Sequence, residues 1–218
     1  MTGKAFSRRQ FITVSMAAIG GLALFGCSGN AGQASSKAGS ANSASIASGA
    51  AQGSSAKNEE GKILVACFSA TGNTRAVAEK LARHLNADYF EILPSEPYTA
   101  DDLDYGNETS RATAEQNDPS ARPAIAATPD FSAYDVVFLG HPIWWGKAPR
   151  VMCTLLENAN LSGKKVAEFC TSGSSGVEGA AAELEKLAPA ASWIGARRFA
   201  AGASESELAD WVDSLDLK

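Results

Sequence analysis

Ile63-Leu64-Val65-Ala66-Cys67-Phe68 runs directly into Ser69-Ala70-Thr71-Gly72-Asn73-Thr74, an apolar run followed by a small polar one. Six apolar residues with no polar alternation mark a strand buried on both faces. From Asn73 to Leu85, Val77, Leu81 and Leu85 recur at helical spacing, with Ala78 and Ala82 beside them. A doubly buried strand that turns at once into an amphipathic helix is the first half of a β-α-β unit.

The same grammar repeats along the chain. Asp88–Leu93, Tyr134–Gly140, Lys165–Thr171 and Ser192–Phe199 read as four more strands. Helical stretches are expected at Lys147–Glu157, Val177–Leu187 and Ser204–Leu215. Alternation of this kind gives a doubly wound, three-layer α/β/α fold around a five-stranded parallel sheet, in the order 2-1-3-4-5. Right-handed crossovers place helices on both faces. Pro94–Ser132 is long for a structureless connection. Asp101–Gln116 is the candidate crossover helix within it, although its apolar face is thin.

Three loops follow the first, third and fourth strands, and ligands of open parallel sheets bind along that carboxyl edge. The first, Ser69-Ala70-Thr71-Gly72-Asn73-Thr74, combines hydroxyls, a glycine at the bend and free N–H groups at a helix start. That chemistry suits a phosphate monoester. The alternative is a simple helix cap by Thr71 or Asn73. No Gly-Lys-Ser/Thr follows, which excludes a nucleoside-triphosphate loop, and no GxGxxG supports a dinucleotide role for Glu91. The second loop, Pro142-Ile143-Trp144-Trp145-Gly146, carries adjacent indoles that are costly to expose. Trp144 is the candidate to stack on a flat ring, and plugging of the core is the alternative. In the third, Thr171-Ser172-Gly173-Ser174, small residues let main-chain groups approach a polar ligand edge. His84 and His141 read as structural, and no spacing of ligands calls for a metal. Glu168 stands inside an apolar strand and must be either protonated or paired, with Lys or Arg the candidate partner.

Phe68–Thr74, Gly140–Gly146 and Phe169–Gly173, in this order and spacing, resemble the flavodoxin family over residues 61–218. Arg122-Pro123 is similar to a segment of a bacterial flavodoxin-like branch. The resemblance implies bound FMN, with Ser69, Ala70, Thr71, Gly72, Asn73 and Thr74 on its phosphate. It also implies Pro142, Ile143, Trp144, Trp145, Gly146, Thr171, Ser172, Gly173 and Ser174 around its ring. The third loop lacks the aromatic and acidic residues of many electron-carrying members, which leaves an expectation of one open ring face. An FMN electron carrier follows. An FMN-dependent reductase of quinone-like acceptors and a non-redox binding lipoprotein are the alternatives.

The first 60 residues stand apart. Ser7-Arg8-Arg9-Gln10-Phe11-Ile12 is a twin-arginine pattern, followed by an apolar stretch that ends Leu24-Phe25-Gly26-Cys27. That ending resembles a lipobox, with Cys27 as the lipidated residue. An uncleaved anchor is the alternative, and either reading places the protein outside the cytoplasm at a membrane. Residues 28–60 are a Ser/Ala/Gly linker, too poor in apolar residues to fold and about 30 Å in span. Of the 19 basic and 24 acidic residues of the 218-residue chain, five and two precede Gly61. The domain from Gly61 therefore carries 14 and 22, a net charge of −8. That sign argues against nucleic acid. It suits a basic docking face on a redox partner, and it disfavours negative charge on a reduced flavin. Cys67, Cys153 and Cys170 read as buried thiols.

Overall fold

The computed structural model describes residues 61–217. The twin-arginine motif, Cys27 and the linker 28–60 lie outside the described residues. Five strands, β1 (Ile63–Cys67), β2 (Asp88–Glu91), β3 (Val136–Pro142), β4 (Lys165–Thr171) and β5 (Ser192–Phe199), pair in parallel in the order β2-β1-β3-β4-β5. The helices are α1 (Asn73–Leu85), α2 (Arg111–Asn117), α3 (Arg150–Asn158), α4 (Glu178–Leu187) and α5 (Glu205–Asp213). The order reverses between β1 and β3, so their carboxyl ends form the switch point where a crevice opens.

Alternate side chains of the buried strands feed two separate cores. Leu64, Ala66, Val137, Leu139 and Val166 face Val151, Met152, Leu155 and Leu184 of α3 and α4. Val65, Cys67, Phe138, Ala167 and Phe169 face Val77 and Leu81 of α1 and Leu208 and Trp211 of α5. Trp211 meets Phe138, Phe169 and Phe199 edge-on, with centroids 5.6, 6.3 and 5.4 Å away. A strand with apolar residues on both faces was the only pattern that could supply both layers.

Gly140 is the narrow point of this sheet. A Cβ there would lie 2.2 Å from Cζ of Phe169. Gly140→Ala therefore forces Phe169 out of its rotamer, and we expect a loss of about 1–3 kcal/mol from overpacking. A urea midpoint equal to that of the wild type would show that the ring yields freely.

The connection after β2 differs from the expected helix over Asp101–Gln116. A 3-10 turn covers Asp101–Leu103, and α2 begins only at Arg111. Between them, side chains capture the backbone: Asp104 Oδ1 accepts from the Gly106 N–H, and Asn107 Oδ1 from the Thr109 N–H. Such local bonds compete with helix formation. Ser110 then caps α2 by accepting from the Thr113 N–H. The segment is tied down by Tyr98, whose hydroxyl donates to Glu115 at 2.5 Å and whose ring lies 4.1 Å below the Arg111 guanidinium.

Helix α3 starts three residues later than the sequence suggests. Trp144 and Lys147 exchange both backbone hydrogen bonds at 3.0 Å, which closes a tight two-residue turn. Its central residues, Trp145 and Gly146, have φ of 48° and 76°. Positive φ at both positions is the requirement of a type I′ turn.

Candidate functional site

The loops after β1, β3 and β4 meet at the switch point around a cavity of about 480 Å³, a size suited to a small molecule or cofactor. Its wall includes Thr71, Asn73, Pro142, Ile143, Trp144, Thr171, Ser172 and Gly173. These are eight of the residues expected from the sequence. Ser69, Ala70, Gly72, Thr74, Trp145, Gly146 and Ser174 belong to the same three loops without lining it.

In the first loop, Ser69 Oγ accepts from the Gly72 N–H at 3.1 Å and holds the bend. Gly72 is the N-cap of α1, with φ 87°, and no side chain caps the helix. The alternative of a cap by Thr71 or Asn73 is thereby corrected. A 13-residue helix keeps its first N–H groups free, beside exposed Thr71 and Asn73. Uncapped donors, hydroxyls and the positive helix end together fit a phosphate monoester. Thr74 plays a different part. Its hydroxyl is buried and bonds Thr171 Oγ1 at 2.7 Å, linking the first loop to the third.

The second loop is braced from behind. Gln116 Nε2 donates to the carbonyls of Trp144 and Ala148 at 2.8 and 3.2 Å. Trp144 reaches the cavity wall, but little of its ring is accessible there. That residue is 4% exposed and packs edge-on against Phe68 and Tyr98, with centroids 5.6 and 5.0 Å away. The exposed indole of the two is Trp145, 40% accessible and stacked on Tyr105 at 4.3 Å. The turn forces this division, because it rotates successive side chains apart. Tyr105 and Leu103, from the connection after β2, also stand on the cavity wall and add apolar surface that the third loop lacks.

Glu168 does not pair with Lys or Arg. Its Oε1 lies 2.9 Å from His141 Nε2, and both residues are fully buried. His141 Nδ1 is 2.9 Å from the Pro142 carbonyl, which can only accept. Nδ1 must therefore carry a proton, and a second proton must lie between Nε2 and Oε1. The pair is net neutral, and through Pro142 it fixes the start of the second loop.

Arg198 at the end of β5 went unrecognised in the sequence. Its Nε donates to Ser172 Oγ at 3.1 Å, and its Nη2 to the carbonyls of Ser172 and Gly173 at 2.9 and 2.8 Å. Ser172 Oγ donates in turn to the Ser175 carbonyl. The signal was faint: the adjacent Arg197-Arg198 in a strand whose outer face is exposed. Cys67, Cys153 and Cys170 are free, and burial pushes the thiols of Cys67 and Cys170 up, the latter to about 12. They are poor nucleophiles. β3 separates the strands of Cys67 and Cys170. Glu91, the rejected dinucleotide acid, pairs with Arg75.

A doubly wound parallel sheet whose carboxyl-edge loops enclose a cavity with a phosphate-type cradle defines a flavodoxin-like α/β protein. The chain belongs to the flavodoxin family, whose model matches residues 62–215. It is similar to a crystal structure from Bacteroides eggerthii at 44% identity, covering 70% of this chain and 96% of that one, with a TM-score of 0.67. A Bacteroides uniformis structure matches at 38% identity over 71% and 99% of the two chains, with a TM-score of 0.68. A Lactobacillus acidophilus flavoprotein, solved in complex with FMN, matches at 25% identity over 70% and 99%, with a TM-score of 0.55. A search of curated proteins gives no match.

Proposed function

We propose that the domain binds one FMN non-covalently and passes electrons through it. The observation that carries this reading is the cavity at the switch point, with an uncapped α1 and free hydroxyls at one end and both apolar side chains and the third loop on its other walls. The similar flavoprotein solved with FMN supports it. When bound, FMN supplies the electron-accepting ring. The chain binds and orients it: the first loop holds the phosphate, and Ile143, Leu103 and Tyr105 exclude water from the ring. A tether at Cys27 and export in folded form by the twin-arginine route would keep the domain at the outer surface of a membrane. The net −8 would steer it onto basic redox partners, faster at low salt.

The test is binding of FMN and of riboflavin to ligand-free domain, followed by flavin fluorescence. We expect FMN to bind at least about 100-fold more tightly, since several charge-assisted bonds go to the phosphate. Equal affinities, or no binding of either, would overturn the assignment of the first loop.

A further inference from the structure

Among the described residues, Arg198 is the only charged one on the cavity wall. Ion pairs among the described residues join Lys62, Arg75, Arg111, Arg122, His141, Arg150 and Lys165 to acids, and none includes Arg198. Two of its nitrogens are spent on the third loop, and Nη1 makes no hydrogen bond among the described residues. What sets this cation apart is its place on the cavity wall, where no acid accompanies it.

Its position favours the far end of a ligand over the phosphate. The phosphate cradle follows β1, and Arg198 ends β5. The guanidinium itself is held by Ser172 and Gly173, past the end of β4, and the sheet order puts two strand spacings, about 10 Å, between β1 and β4. A molecule with its phosphate at β1 therefore brings its ring, not its phosphate, toward Arg198. Adding two electrons and one proton to oxidised flavin leaves one negative charge on that ring.

We propose that Arg198 selects the reduced, anionic form of the bound flavin and so raises its reduction potential above what the acidic domain alone would set. This rests on the FMN reading above. Ser172 and Gly173 hold the guanidinium in place through their carbonyls, so the charge is positioned before the ring is reduced. The consequence is a reduced protein that donates electrons less strongly than the acidic domain would without this cation.

The experiment compares wild type, Arg198→Gln and Arg198→Lys domain loaded with FMN. Dissociation constants are measured for oxidised FMN and for FMN reduced with dithionite, and the midpoint potential is read against a reference dye. In Arg198→Gln we expect the preference for reduced FMN to fall about tenfold, the scale of a unit charge across a few ångströms of partly solvated site. For a two-electron couple that is a drop of about 30 mV. Arg198→Lys should restore most of it, and added salt should shrink the difference between wild type and Arg198→Gln. Lysine keeps the charge but loses the fork that grips the third loop. A Lys variant as low as the Gln variant would make Arg198 a loop anchor only, and overturn the proposal. So would an unchanged potential in Arg198→Gln, with FMN binding itself intact. A wild type that binds no FMN would overturn both readings.

Discussion

Trp144→Ala lowers the stability of the domain by about 3–5 kcal/mol, the usual cost of truncating a buried aromatic. Trp145→Ala costs less than about 1 kcal/mol, as expected of an exposed side chain away from the core. The two residues are neighbours of the same type, and only the turn tells them apart. Trp144 is wedged between Phe68 and Tyr98, and its carbonyl is held by Gln116. Removing its indole leaves a cavity in the core under α3. Trp145 rests on Tyr105, which lines the cavity, so its loss should act on FMN affinity through Tyr105 instead. Urea unfolding of both variants, with FMN titration of whichever folds, separates the roles. If Trp144→Ala kept the wild-type midpoint and lost FMN, the indole nearest the ligand would be Trp144 after all.

His141→Ala should be as damaging, at about 3–5 kcal/mol, because it strands a fully buried Glu168 without its partner. Glu168→Gln should cost only about 1 kcal/mol. The amide can donate to Nε2 while Nδ1–H still serves the Pro142 carbonyl, so every proton of the original arrangement keeps a place. Equal losses for the two variants, measured by urea unfolding, would mean that packing, not proton sharing, accounts for the pair. The asymmetry is informative because Glu168 Oε2 already lacks a hydrogen-bond partner.

The sheet was legible because its strands are buried on both faces, and continuous apolar runs such as Ile63–Phe68 admit few other readings. The first helix was legible to the residue, since Gly72 and Asn86 bracket it in left-handed conformations. The failures have one cause, the long-range partner that leaves no periodic trace. His141 and Glu168 are 27 residues apart and meet across two strands. Tyr105 and Leu103 reach the cavity from a connection with a thin apolar face. Arg198 is ordinary in its own strand and gains meaning only from β4 beside it. The division of labour between Trp144 and Trp145 depended on a positive φ at a tryptophan, a costly conformation that no propensity would assign.

The hydroxyl contact between Thr74 and Thr171 joins segments 97 positions apart at the rim of the sheet. It ties the loop after β1 directly to the loop after β4. A substitution that removes either hydroxyl would therefore alter both loops at once.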